Sequence, residues 1–238
     1  GRSLPYNAEK LHINLKTIDK IFLSHGHYDH TGGLKWAIEQ AGPIRVVASK
    51  HLFIKHMGMD LTQPSKPPFY AGCPFSQQEL EALGAEFLFL NQTTKIGDGV
   101  WFLTNYPRTV ETVPEDARLV RMENGQIVPD DIPDDSSLLI ETDTAPILIL
   151  GCTHSGIINT LLHLKNDMGI SKLKAVIGGT HLMASDESAV ERAMDMLDEF
   201  SVEMIGTAHC TGFKATVLIA TRFKERFVLA AAGSVITV

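Results

Sequence analysis

Three histidines and an aspartate crowd the stretch Ser24-His25-Gly26-His27-Tyr28-Asp29-His30, directly after the apolar run Ile21-Phe22-Leu23. Neutral imidazole and carboxylate together suit a borderline divalent cation such as zinc. Without a cation, such groups packed side by side are poorly satisfied. A solvated, histidine-rich loop is the plain alternative, but the order of the groups and the strand before them are what a metal loop needs. Three later segments carry similar residues among glycines: 151–159, 178–182 and 206–212. The apolar runs before them read as strands, and strand ends at one edge of a sheet share a rim where loops can converge.

The H-x-H-x-D-H order resembles the signature of the metallo-β-lactamase fold superfamily. Gly151-Cys152-Thr153-His154-Ser155-Gly156, then Gly178-Gly179-Thr180-His181, then Gly206-Thr207-Ala208-His209-Cys210-Thr211-Gly212 narrow the resemblance. Together they resemble the subgroup that includes the dihydropterin–ribofuranosylaminobenzene phosphate synthases of methanopterin biosynthesis. The similarity runs from about Gly1 to about Val238. It implies an α/β (α+β) fold, an αββα sandwich, as a single domain over residues 1–238. Gly1-Arg2-Ser3 resembles the continuation of a strand that the superfamily places before its first long helix, so N-terminal strands are expected to be missing.

By this resemblance His25 and His27 join His154 on one metal ion, and Asp29 and His30 join His209 on a second. Asp29 is also expected to take part in catalysis. His181 is expected to contact substrate or move a proton, with a ligand role left open. One or two divalent ions are implied, zinc first, with manganese, iron or magnesium also compatible. His154 read simply is a helix cap, whereas Gly206 and Gly212 bracket His209 as a tight functional turn requires. The chain departs from the wider superfamily twice. Thr104-Asn105-Tyr106-Pro107-Arg108 stands where a Gly-His pair is usual, and Cys152 stands near the place of a bridging aspartate. Both departures resemble the dihydropterin subgroup and count against an ordinary dinuclear hydrolase.

A phosphate site is expected where Thr153, Ser155 and Gly156 lead into a helix, because free N–H groups and the helix dipole attract anions. Arg108 is a candidate bidentate partner, with a surface arginine as the alternative. Thr211-Gly212 reads as a simple cap. His12, His51, His56 and His163 have no motif around them and are left out of the site; His163 reads as a surface or packing residue.

The elements that must position these residues follow from pattern. Helices are expected at 7–15, 32–41, 50–56, 76–83, 157–168, 186–200 and 212–223. Ser76 with Glu79 makes a capping box. Strands are expected at 18–23, 44–48, 87–90, 94–96, 100–104, 137–141, 147–150, 173–177, 202–205 and 227–231. Residues 58–74, rich in proline, and the acidic stretch 105–135 read as excursions, the second with a hairpin at Asn124-Gly125. Early strands followed by strand–helix alternation fit the sandwich.

At 238 residues, 44% hydrophobic and 21% charged, the chain is a globular one. Its net charge of −7 argues against a nucleic-acid partner. No apolar run is long enough to span a bilayer. Three cysteines form no even disulfide framework, so reduced thiols in a cytoplasmic protein are expected, most simply as apolar filler. The expected partner is a small, phosphorylated anion, with a homo-oligomer possible and no membrane. If the subgroup's chemistry carries over, a pterin methyl diphosphate condenses with an aminoaryl ribose phosphate. The alternatives are metal-dependent hydrolysis of a phosphoester, lactone or other ester, and a non-catalytic metal or ligand-binding protein.

Overall fold

A computed structural model of the chain describes residues 1–110 and 116–238. Pro114, part of the acidic excursion, lies outside the described residues. Helix α1 (Ser3–Lys10) lies upstream of the helix expected at 7–15. The reason is burial: of the apolar positions in that pattern only Ala8 is covered, Leu11 is 46% exposed, and His12 turns the chain at φ 55. Next come β1 (Lys20–Phe22), α2 (Tyr28–Thr31), α3 (Leu34–Ala41) and β2 (Ile44–Ser49). The helix expected at 50–56 is absent; turns lead instead into β3 (His56–Gly58). Within the proline-rich excursion lies β4 (Phe69–Tyr70). Helix α4 (Gln77–Ala82) begins at the expected capping box, with Glu79 N–H donating to Ser76 Oγ and Ser76 N–H to Glu79.

The strands β5 (Ala85–Leu90), β6 (Thr94–Gly97) and β7 (Val100–Thr104) follow. Then β8 (Leu119–Glu123) and β9 (Gln126–Pro129) form the expected hairpin. Asn124 and Gly125 sit at φ 50 and 80, the positive values that a tight two-residue hairpin turn requires. After β10 (Ser136–Ile140) and β11 (Ile147–Ile149), helices and strands alternate. They are α5 (Ile157–Met168), β12 (Ala175–Gly178), α6 (Glu187–Glu199), β13 (Met204–Thr207), α7 (Phe213–Phe223) and β14 (Phe227–Leu229).

The chain divides into two compact units. The first comprises Gly1–Asn91 and Asp116–Asp134. Its parallel sheet has the order β1-β2-β5, with α3 and α4 on the crossovers that parallel pairing demands. Strand β2 is buried along nearly its whole length, and Ile38, Val46, Leu52 and Leu80 are fully enclosed in the core around it. A second, antiparallel sheet has the order β4-β3-β8-β9.

The second unit comprises Gln92–Glu115 and Asp135–Val238. Its sheet has the order β14-β13-β12-β11-β10-β7-β6. The pairs β6–β7, β7–β10 and β10–β11 are antiparallel, whereas β11 to β14 run parallel. Leu161 and Leu164 of α5, Ala193 and Leu197 of α6 and Ile219 of α7 close one core with Leu139, Leu148 and Ile205 of the sheet. Each unit thus contributes sheet and helices, the ingredients of the expected mixed α/β fold. Among the described residues no helix is long and apolar enough to cross a membrane.

Ionic contacts fasten α6 to the chain around α7. Arg222 Nε donates to Asp198 Oδ2 at 2.9 Å, and Arg226 Nη2 donates to Asp198 Oδ1 at 2.8 Å. Burial alone would raise the Asp198 pKa, but Arg226 and Arg222 outweigh it and hold the carboxyl below its ordinary value. A carboxyl depressed in the folded state stabilises above its unfolded pKa, and the contribution fades as pH falls through the folded value. Asp198→Asn should therefore be less stable than the parent at neutral pH and lose less on acidification. Urea unfolding across an acid pH series checks this, and identical slopes in parent and variant would contradict it.

Candidate functional site

In the first unit, Leu23 N–H still donates to Val47 O at 3.0 Å, after which the chain leaves the sheet. His27 O then accepts from the N–H groups of His30 and Thr31 and from the Thr31 hydroxyl at 2.9–3.0 Å, which starts α2. This turn buries His25 and His27 and leaves Asp29 exposed on the first turn of the helix. His25 Nε2 lies 2.9 Å from His27 Nδ1. Ser24 Oγ lies 3.1 Å from both His25 Nδ1 and His30 Nδ1, and the His25 and His30 rings are 4.1 Å apart. Asp29 Oδ2 stands 3.6 Å from His30 Nε2. All four residues expected from the first motif are therefore gathered.

Beneath this loop lies a group missed in the sequence. His56, on β3, is fully buried. Its Nδ1 is 2.6 Å from Asp130 Oδ2 and its Nε2 is 3.2 Å from Asp134 Oδ1. Its ring centre is 4.9 Å from that of His27. Burial would lower the His56 pKa, but hydrogen bonds to Asp130 and Asp134 reverse the effect and raise it to about 9. Burial, reinforced by the charge of His56, lowers His27 to about 4. His27 is thus a neutral imidazole at neutral pH, the form that ligates a metal. No motif marks His56 because its partners are distant in sequence; their own signal was the repeated aspartate pair Asp130-Asp131 and Asp134-Asp135.

In the second unit the parallel run β11-β12-β13 brings three strand ends to one edge, as expected. Gly179 N–H donates to Gly151 O at 3.1 Å, and Ala208 N–H donates to Gly178 O at 3.0 Å. The Thr153 hydroxyl donates to Gly179 O at 2.7 Å, and Thr180 N–H donates to Thr211 Oγ1 at 3.2 Å. The His154 and His181 rings are 4.2 Å apart, both buried. His209 is exposed, and its ring nitrogen lies with the Cys152 and Cys210 sulfurs in a group whose candidate ligand atoms are all within 4.8 Å of one another. All three cysteines are buried thiols outside any disulfide. A hydrogen bond with the Cys152 side chain lowers the Cys210 pKa.

The residues expected to hold phosphate lie in this unit. Ser155 is buried, and its N–H donates to the buried Asp135 Oδ2 at 2.8 Å. Burial raises the Asp135 pKa despite that bond. Arg108 is half-buried, and its charge acts on Asp135 and Tyr106. Asn159 fastens the loop after Arg108 to α5 by accepting from Thr109 and Val110 N–H at 3.0 Å each. His163 is a packing residue: it is buried, stacks on Tyr106 at 4.7 Å and lies 2.8 Å from Thr93 Oγ1 and 2.7 Å from Asp167 Oδ2.

The sequence model of the metallo-β-lactamase superfamily matches residues 1–209. The chain belongs to this superfamily. Within it, the chain is 31% identical over 239 aligned residues to the 7,8-dihydropterin-6-methyl-4-(β-D-ribofuranosyl)-aminobenzene-5'-phosphate synthase of Methanocaldococcus jannaschii, spanning 97% of this chain and 79% of that protein. An uncharacterized protein of the same organism is 33% identical over 201 residues, 83% of this chain and 70% of that protein. Among solved structures, a metal-dependent hydrolase of the β-lactamase superfamily superposes with a TM-score of 0.77 at 28% identity, covering 98% of this chain and 84% of that one.

This superfamily member tolerates strain where the second unit's loops leave their strands. Gly178 sits at φ 136, and a Cβ there would stand 2.3 Å from Leu150 O. Gly178→Ala should therefore cost more than about 1 kcal/mol of stability, since both the backbone conformation and the overlap oppose it. The urea midpoint at unchanged m-value reads this; a midpoint equal to the parent's would refute it.

Proposed function

We propose that the protein is a divalent-metal-dependent transferase that joins a pterin methyl diphosphate to an aminoaryl ribose phosphate. The observation that carries this reading is the 31% identity to the dihydropterin synthase across 97% of the chain. The proposed ligands are His25, His27, Asp29, His30, His154 and His209, with zinc the first choice of metal. The donor chemistry of each unit suits a cation. The first offers imidazole nitrogens 2.9 Å apart beside a carboxylate, and the second offers imidazole and thiol groups. When bound, a divalent ion supplies Lewis-acid stabilisation of an anionic oxygen.

The chain's own residues supply the rest in this proposal. Arg108 orients a phosphorylated substrate, and the 153–156 turn shapes its site, although the Ser155 N–H, Gly156 N–H and Thr153 hydroxyl are not the free donors expected: they donate to Asp135, Thr153 O and Gly179 O. His181 contacts substrate and accepts the N–H proton released as the arylamine nitrogen displaces the diphosphate from the pterin methylene, and Asp29 assists as a carboxylate on the exposed side of its loop. Covering loops that exclude water favour transfer over hydrolysis. A second reading, hydrolysis of a phosphoester, lactone or other ester, is favoured by the structural likeness to a metal-dependent hydrolase.

The purified protein, loaded with zinc and incubated with both substrates, should yield the condensed product by mass spectrometry, and neither substrate alone should. Cleavage of simple esters without any condensed product would select the hydrolase reading. His27→Ala should bind less metal by elemental analysis and lose activity; full activity with full metal content would overturn the ligand assignment.

A further inference from the structure

His56 stands between two buried carboxylates directly below the residue that separates His25 from His27. Asp134 Oδ2 accepts the Gly26 N–H at 2.5 Å, while Asp134 Oδ1 faces His56 Nε2 at 3.2 Å. On the far side of the ring, Asp130 Oδ2 faces His56 Nδ1 at 2.6 Å, and Asp130 Oδ1 accepts the Ile132 N–H at 3.0 Å. The fit against the loop is close. A Cβ on Gly26 would lie 2.2 Å from Leu52 O, 3.2 Å from Asp134 Oδ2 and 3.3 Å from His56 Cδ2. The side chains of His56, Asp130 and Asp134 are all fully buried. Buried ion pairs are seldom the cheapest way to stabilise a fold, because apolar residues of similar volume often do as well or better. What such a cluster gives is fixed direction, and here the direction is toward the backbone of the histidine loop.

We propose that His56, held by Asp130 and Asp134, is a positioning residue that sets the places of His25 and His27 through the Gly26 N–H. The inference rests on the metal-site reading above. Imidazole–carboxylate partners that orient ligands typically change metal affinity or activity by about 10–100-fold when removed. In this protein the carboxylate grips the peptide between two ligands instead of a ligand ring, so one contact orients both.

Zinc affinity of the full chain, measured by chelator competition, tests it. Asp134→Asn keeps the volume but replaces one acceptor oxygen with a donor amide, so it cannot accept from both Gly26 N–H and a protonated His56 Nε2. It should bind zinc about 10–100-fold more weakly, with kcat falling more than KM rises at saturating zinc. Asp130→Asn reaches the loop through His56 and should shift affinity in the same direction by less. It should also remove the downfield, exchange-protected His56 imidazole N–H resonance expected in the metal-free parent. Circular dichroism confirms folding, and Asp130→Asn decides the matter should Asp134→Asn fail to fold. A parent that binds no divalent ion overturns the metal-site reading, and this inference with it. A parent that binds zinc while both folded variants bind equally well overturns the positioning role alone.

Discussion

Removing histidines from water is the cost around which each unit is built, His25 and His27 in the first and His154 and His181 in the second. Each is less than a tenth exposed. A buried polar group without a compensating hydrogen bond costs several kcal/mol in apolar surroundings, roughly 2–7 depending on the reference state. In the first unit the compensation comes from neighbours within the loop and from the layer below it. Ser24 serves two rings, and the His56–Asp130–Asp134 group fixes the backbone between the others. In the second unit, hydrogen bonds between successive strand-end loops hold the turns that carry His154 and His181. Burial has a chemical consequence as well: it holds His27 neutral across the physiological range, so its nitrogen lone pair remains available.

The second unit accepts backbone strain in the same places. Thr153, His181 and His209 sit at φ 61, 50 and 49, one in each of the three loops that leave β11, β12 and β13. A non-glycine residue in the left-handed region is uncommon, and three at corresponding places need surroundings that over-determine them. The parallel strands provide that constraint. Their registers, Leu148 against Val176 and Gly206 against Ile177, place the loops side by side, and the inter-loop hydrogen bonds then hold each turn. Position in the sheet thus fixes loop geometry, and loop geometry presents the histidines.

Local pattern made much of this legible. The capping box at Ser76, the hairpin at Asn124-Gly125 and the strand–helix alternation after residue 147 depend on neighbouring residues, and each was readable without the structure. The histidine loop was legible because its histidines and aspartate lie within six residues. Misreadings arose where distant partners decide. Residues 50–56 have helix-like spacing, yet His56 pairs in register with Arg121 on β8 and the backbone there is extended. The buried layer under the loop was invisible for the same reason: His56 meets Asp130 across 74 residues of sequence, and Gly26 meets Asp134 across 108. The shifted first helix shows a related limit, since periodicity identifies an apolar face but not whether anything covers it.

Exposure divides the six proposed ligands into two kinds. His25, His27 and His154 are buried, whereas Asp29 and His209 are exposed and His30 is intermediate. This division coincides with the two ligand sets that family resemblance assigns to separate ions. Buried imidazoles held by packing lose little freedom on binding and sit in a low dielectric, where attraction to a cation is strong. Exposed carboxylate and imidazole groups must be ordered on binding, and water competes with them.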